Sequence, residues 1–157
     1  MTSNNLKMKY LFTTALIVIG LCLSAQEYKP QVKTDHYAIV VTDLTASAQF
    51  YSEILGLEEI TNQTKKSNIR WFAFADGVEL HLIQTSKEGI ETKKDFHLAV
   101  AINSLEDFMK MLVEKKVPFE SWQGESGKSN SRPDGVNQVY IQDPDGYWIE
   151  VNDAARF

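Results

Sequence analysis

The chain contains one unit twice, and that repeat limits what it can fold into more than any other feature. His36-x-Ala38-Ile39 through Leu44 matches His97-x-Ala99-Val100 through Leu105 at a constant offset of 61 residues, without a gap. The closing segments match as well: Gly77 precedes His81 by four residues, and Gly146 precedes Glu150 by four. A unit that recurs with polar residues in matched places predicts two half-sheets related by a pseudo-twofold axis.

Within each copy the pattern reads strand, helix, three strands. Alternation predicts strands over His36–Thr42, Leu57–Thr61, Ile69–Ala75 and Val78–Gln84 in the first copy. In the second copy it predicts strands over Phe96–Asn103, Phe119–Trp122, Asn137–Gln142 and Gly146–Asn152, with a polar loop from Gly124 to Gly135. Asp43 is placed to cap a helix carrying Leu44, Ala48, Tyr51 and Leu55 up to Gly56. Ser104, with Asp107 three residues on, caps a second helix whose stripe is Leu105, Phe108, Met109 and Leu112. The fold class is therefore α+β: two βαβββ modules, residues 35–84 and 95–153, form a pseudo-twofold pair of mixed half-sheets with the helices outside.

The first 25 residues belong to a different kind of segment. Lys7 and Lys9 precede an apolar run from Tyr10 to Leu23, and Leu23-Ser24-Ala25 ends in small residues. That is the layout of a secretory signal peptide cleaved before Gln26, followed by an extended lead-in over 26–34. It predicts an exported protein, periplasmic or secreted, with no membrane attachment after cleavage. The only cysteine, Cys22, lies inside this segment, so the mature chain offers neither a disulfide nor a thiol nucleophile. Two lysines and no acids are lost with it, which takes the formal charge from −5 to −7. Such a chain is a poor partner for nucleic acid or an anionic membrane.

Strand parity sorts the polar residues. Tyr37, Ile39, Val41, Leu80, Leu82, Leu98, Val100, Ile102, Ile149 and Val151 face the helices, whereas His36, His81, His97 and Glu150 face the other way. These are all three histidines of the chain and one carboxylate, each on a different strand and beside small residues such as Ala38, Ala99 and Ala101. Imidazole and carboxylate donors on rigid strands suit one divalent metal ion, with Zn, Ni, Co, Mn and Fe all open. A metal-free polar pocket is the alternative reading. Trp71, Gln138, Tyr140 and Trp148 share the inward parity and could wall a pocket, while Lys128 and Arg132 could clamp an anionic group from the long loop.

Four stretches together resemble the vicinal oxygen chelate superfamily, which includes glyoxalase I. They are D-H-Y-A-I-V-V-T-D-L from Asp35, V-E-L-H-L from Val78, D-F-H-L-A-V from Asp95 and D-P-D-G-Y-W-I-E-V from Asp143. The resemblance implies a cup whose four end strands each offer one metal ligand: His36, His97, Glu150 and a fourth from V-E-L-H-L. The turn-to-ligand spacing favours His81 as that fourth ligand; a slide of two residues gives Glu79, the position glyoxalase I fills with a glutamate. It further implies a metal-dependent lyase or isomerase acting on a small substrate chelated through vicinal oxygens, with Glu150 as ligand and base and Glu79 as reserve base. Two other readings stand beside it: an Fe(II) extradiol-type dioxygenase using His36, His97 and Glu150, and a non-catalytic small-molecule-binding module of the resistance type. A homodimer is also among the expectations.

Overall fold

A computed structural model describes residues 28–155, so the signal segment, Cys22 and the cleavage junction lie outside the described residues. Residues 28–33 are exposed and carry no regular structure. The chain from Thr34 onward forms a compact unit of its own.

Its elements are β1 (His36–Val41), α1 (Leu44–Ile54), β2 (Glu58–Ile60), β3 (Ile69–Ala73) and β4 (Glu79–Gln84), then β5 (His97–Ala101), α2 (Leu105–Glu114), β6 (Asn130–Ser131), β7 (Asn137–Gln142) and β8 (Trp148–Asn152). Each module builds a four-stranded mixed sheet, ordered β1-β4-β3-β2 in the first and β5-β8-β7-β6 in the second. In both, the first strand runs parallel to the last, and the last three strands are antiparallel. The offset of 61 holds for the starts of the leading strands and of the helices alike.

Both helix caps form as the sequence predicts. The Asp43 carboxylate accepts from the Thr45 and Ala46 N–H groups, two donors that no helical carbonyl can reach. Ser104 accepts from the Asp107 N–H and donates its hydroxyl to the Asp107 carboxylate. The hairpins that deliver the last strands also repeat. Gly77 N–H donates to Phe74 O and Gly146 N–H to Asp143 O, with φ of 86° and 81°, values that glycine adopts without the Cβ clash of other residues.

One core draws on both modules. Val41, Tyr51, Phe72, Leu80 and Leu82 from the first join Leu112, Val139, Ile149 and Val151 from the second, all essentially removed from water. Each such side chain contributes about 1.5–3 kcal/mol by burial. The seam between the modules is polar at one end. The Asp145 carboxylate accepts from the Thr42 N–H and hydroxyl and from the Ser47 hydroxyl, while Tyr51 donates to Asp143 at 2.9 Å.

One predicted strand moves. Residues 119–122 form only isolated bridges at Glu120, and the strand beside β7 is Asn130–Ser131, inside the stretch read as a loop. The reason is tertiary: the Lys94 ammonium takes the carbonyls of Ser121 and Trp122, and Asn130 takes the Trp122 N–H, so this backbone is paired off before a ladder can extend.

Candidate functional site

The inward faces carry the residues that parity assigned to them, and the structure gathers these as two groups, one per module. In the first, three rings stack. Trp71 lies on His81 at 4.1 Å between centroids, and His81 lies on His36 at 4.4 Å. The register explains the contact, since Trp71 stands directly across from His81 and Ala38 is small enough to leave the space beside it open. His81 Nε2 is 2.7 Å from Glu79 Oε2, and His36 Nδ1 is 2.6 Å from Asp35 Oδ2. The Trp71 indole N–H is buried and has no acceptor. An orphaned buried donor of this kind calls for an explanation.

The second group is built around Glu150, which is buried on β8. Its Oε2 accepts from the Tyr140 hydroxyl at 2.6 Å, and its Oε1 accepts from Asn152 at 2.7 Å and from Arg132 at 3.1 Å. Burial pushes this carboxyl up, but the hydrogen bonds from Tyr140, Asn152 and Arg132 and the nearby His97 outweigh it and hold the group below the usual range. The Tyr140 phenol moves the opposite way: burial and the Glu150 carboxylate push it far above its ordinary value, so it stays a donor.

His97 completes this group in an instructive way. Its Nδ1 lies 2.7 Å from the Lys94 carbonyl, which can only accept, so the proton of a neutral ring sits on Nδ1. The lone pair on Nε2 then faces Glu150 Oε2 at 3.3 Å. Two acceptors confront each other, and a cation between them, or a proton on Nε2, is what makes that contact favourable. A backbone carbonyl behind the imidazole is also the usual way a metal-ligating histidine is oriented.

Two of the substrate-contact candidates separate. Arg132 reaches the site and contacts Glu150, whereas Lys128 is exposed and pairs with Glu125. Trp148 is one wall of a cage around the Lys94 ammonium, with Tyr140 and Trp122; the nitrogen stands 4.8 to 6.0 Å from the three ring centres. Lys94 also pairs with Glu120 at 2.6 Å. Asn152, Lys94 and Trp122 were not singled out from sequence. Asn152 shares the parity of Glu150 and could have been, whereas Lys94 sits in a linker with no periodicity to mark it.

Among the described residues, no three His, Cys, Asp or Glu side chains stand close enough together to hold one ion. The four strand donors of one chain are thus two pairs, His36 with His81 and His97 with Glu150.

The family model of the Glyoxalase/Bleomycin resistance protein/Dioxygenase superfamily matches residues 33–151. A Bacillus subtilis (strain 168) protein, YwbC, described as uncharacterized, is 28% identical over 124 residues, 75% of this chain and 94% of that one. Among solved structures, a glyoxalase/dioxygenase from Nostoc punctiforme superposes with a TM-score of 0.60 at 26% identity, covering 77% of this chain and 90% of that one. A lactoylglutathione lyase from Agrobacterium tumefaciens superposes with a TM-score of 0.60 at 20% identity, covering 80% and 96%. The oxidase ChaP-H2 gives 0.59 at 22% identity, covering 79% and 94%. The last two are likenesses of fold.

Proposed function

Because the chain belongs to the Glyoxalase/Bleomycin resistance protein/Dioxygenase superfamily, we propose that it is an exported, metal-dependent lyase or isomerase taking a small substrate through two vicinal oxygens. The observation that carries this reading is His97 Nε2 set 3.3 Å from Glu150 Oε2 while its Nδ1 is held by the Lys94 carbonyl, an arrangement that a cation between the two groups would satisfy. His36, His81, His97 and Glu150 are the donors we assign to one divalent ion. When bound, such an ion polarises a substrate oxygen and stabilises negative charge developing there.

The chain's own residues have separate tasks. Glu150, held ionised by its neighbours, is the acceptor for a proton taken from the carbon next to the substrate oxygens. Tyr140 and Asn152 hold that carboxylate in place from either side. Glu79 stands 2.7 Å from His81 Nε2, where its carboxylate accepts the ring N–H, orients the imidazole and would leave Nδ1 as the donor atom. The unpartnered Trp71 N–H is a donor for a substrate oxygen.

Since the described residues present two donor pairs and no group of three, we take the site to be completed in a homodimer, one pair from each copy. The export signal argues against glutathione as the physiological thiol, so a related 2-oxoaldehyde adduct or α-hydroxycarbonyl compound is the substrate class. No nucleic-acid or membrane partner is part of this reading.

The dioxygenase reading, with His36, His97 and Glu150 as a facial triad for Fe(II), has no contact of its own to favour it: Asp35 holds His36 Nδ1 just as Glu79 holds His81 Nε2. The non-catalytic binding reading likewise gains no specific support. The test is to load metal-free protein with Zn, Ni, Co, Mn or Fe(II) and follow turnover of 2-oxoaldehyde–thiol adducts beside oxygen uptake with catechols. Turnover without oxygen uptake, abolished in Glu150→Gln while metal stays bound, supports the lyase; iron-only activity with oxygen uptake selects the dioxygenase.

A further inference from the structure

Lys94 sends a cation into the wall beside His97. Its side chain is mostly buried, and its ammonium donates to Glu120 Oε1 at 2.6 Å and to the carbonyls of Ser121 and Trp122 at 2.7 and 3.3 Å. The Tyr140, Trp148 and Trp122 rings surround the same nitrogen, an attraction that strengthens when the charge is desolvated. One atom thereby gathers three stretches of chain: the linker before β5, residues 120–122, and the β7–β8 hairpin. The backbone of this residue has a second task, since its carbonyl accepts from His97 Nδ1 at 2.7 Å.

The first module supplies the comparison. The offset of 61 that relates His36 to His97 also aligns Lys33 with Lys94. Lys33 is exposed, and Glu79 stands across from His36 where Trp148 stands across from His97, so that wall of the cage has no counterpart. There the histidine is held differently: His36 Nδ1 lies 2.6 Å from the exposed Asp35 carboxylate. The imidazole whose lysine is caged is held by backbone, and the other by a neighbouring side chain.

We propose that Lys94 is a positioning residue: its caged ammonium fixes the carbonyl that selects the Nδ1–H tautomer of His97, and so keeps Nε2 without a proton on the Glu150 side. That Nε2 then serves as a donor atom for an ion rests on the metal reading above; the tautomer itself does not. Two acceptors compete for the single proton of the neutral ring. A carboxylate is the stronger acceptor, so a ring free to choose would bond Glu150 Oε2 through Nε2. Two features oppose this. The carbonyl stands at 2.7 Å and the carboxylate oxygen at 3.3 Å. Glu150 is also supplied already by Tyr140, Asn152, Arg132 and the Gln138 amide, whose nitrogen faces the two carboxylate oxygens at 3.0 and 3.2 Å. The second feature persists without the Lys94 ammonium; the first depends on it.

The experiment reads the tautomer directly, by long-range ¹H–¹⁵N correlation of the imidazole nitrogens in metal-free mature protein, about two pH units above the ordinary histidine value of about 6.5. Wild-type His97 should show the Nδ1–H form. Lys94→Met keeps the stem and removes the charge, and should shift the ratio toward Nε2–H by about tenfold, the weight of one well-placed hydrogen bond. Lys94→Arg returns a cation to the rings and to Glu120 and should restore most of the Nδ1–H form. His36 and His81 are internal controls: held by Asp35 and Glu79, they should keep their wild-type signals in both variants.

An Nε2–H ring at His97 in wild type overturns the inference, as does an unchanged tautomer in Lys94→Met. Equal shifts at all three histidines make the effect a general loosening and overturn it too. Should Lys94→Met fail to fold, Glu120→Leu decides, since it removes the carboxylate that anchors the ammonium: an unchanged His97 tautomer there contradicts the proposal. Failure of wild type to bind metal takes down the metal reading alone, because no step of this measurement uses a metal.

Discussion

His81 and Glu150 occupy the same place in the two modules: His81 stands across from Ala38, two residues beyond His36, and Glu150 stands across from Ala99, two residues beyond His97. The alternative carboxylate, Glu79, stands across from His36, where the second module has Trp148 across from His97. The register thus pairs imidazole with carboxylate at equivalent positions and pairs Glu79 with a wall residue.

From that equivalence we propose His81, rather than Glu79, as the fourth donor. His81→Ala should weaken divalent-metal binding by about tenfold or more, the scale of losing a ligand or its orienting partner. Glu79→Gln should change it far less, because the amide still reaches the His81 ring. Chelator competition on both variants checks this; an equal loss in Glu79→Gln would move the donor to the carboxylate.

Lys94 supports the second group from behind. Its ammonium satisfies Glu120, Ser121 O and Trp122 O, and its own carbonyl orients His97. Lys94→Met keeps the stem against the aromatic rings but leaves these acceptors unpaired, which should cost about 2–3 kcal/mol. Urea unfolding at unchanged m-value measures it, and a loss below about 0.5 kcal/mol would show that water replaces the ammonium without penalty.

The seam between the modules should carry a pH signature. Burial raises the Asp143 carboxyl above its ordinary range, although the Tyr147 N–H and the Tyr51 hydroxyl pull it down. A carboxyl whose folded-state pKa is raised binds its proton more tightly when folded. Its contribution is therefore fully present below the unfolded value of about 3.9 and lost as pH rises through the folded value. Asp143→Asn cannot titrate, so the stability of wild type relative to this variant should fall as pH rises above the ordinary carboxylate value of about 3.9. Denaturant midpoints from that value upward test it, and a constant difference would mean that the Tyr51 and backbone hydrogen bonds cancel the burial.

Much of this architecture is legible in the residues themselves. Period-two alternation around His36, His97 and Glu150, the caps at Asp43 and Ser104, and the glycines at 77 and 146 are local signals, and local interactions enforce them. What escapes is long-range. The second strand of module two lies at Asn130–Ser131 because Lys94, more than two dozen residues from Ser121 and Trp122, takes the carbonyls of the segment whose alternation is stronger. Arg132 and Lys128 look alike in a polar loop, and only the Arg132–Pro133–Asp134–Gly135 hairpin turns one of them onto Glu150.

The central claim is that the His36/His81 pair and the His97/Glu150 pair serve one ion, each pair from a different copy. Its most direct test mixes two variants, His36→Ala/His81→Ala and His97→Ala/Glu150→Gln, after denaturation and joint refolding, and measures bound metal. Alone, each variant should bind none; together they should recover about a quarter of the wild-type metal content, because random reassortment leaves one intact site in each mixed dimer. A mixture that stays empty while wild type holds one ion per chain would contradict the account.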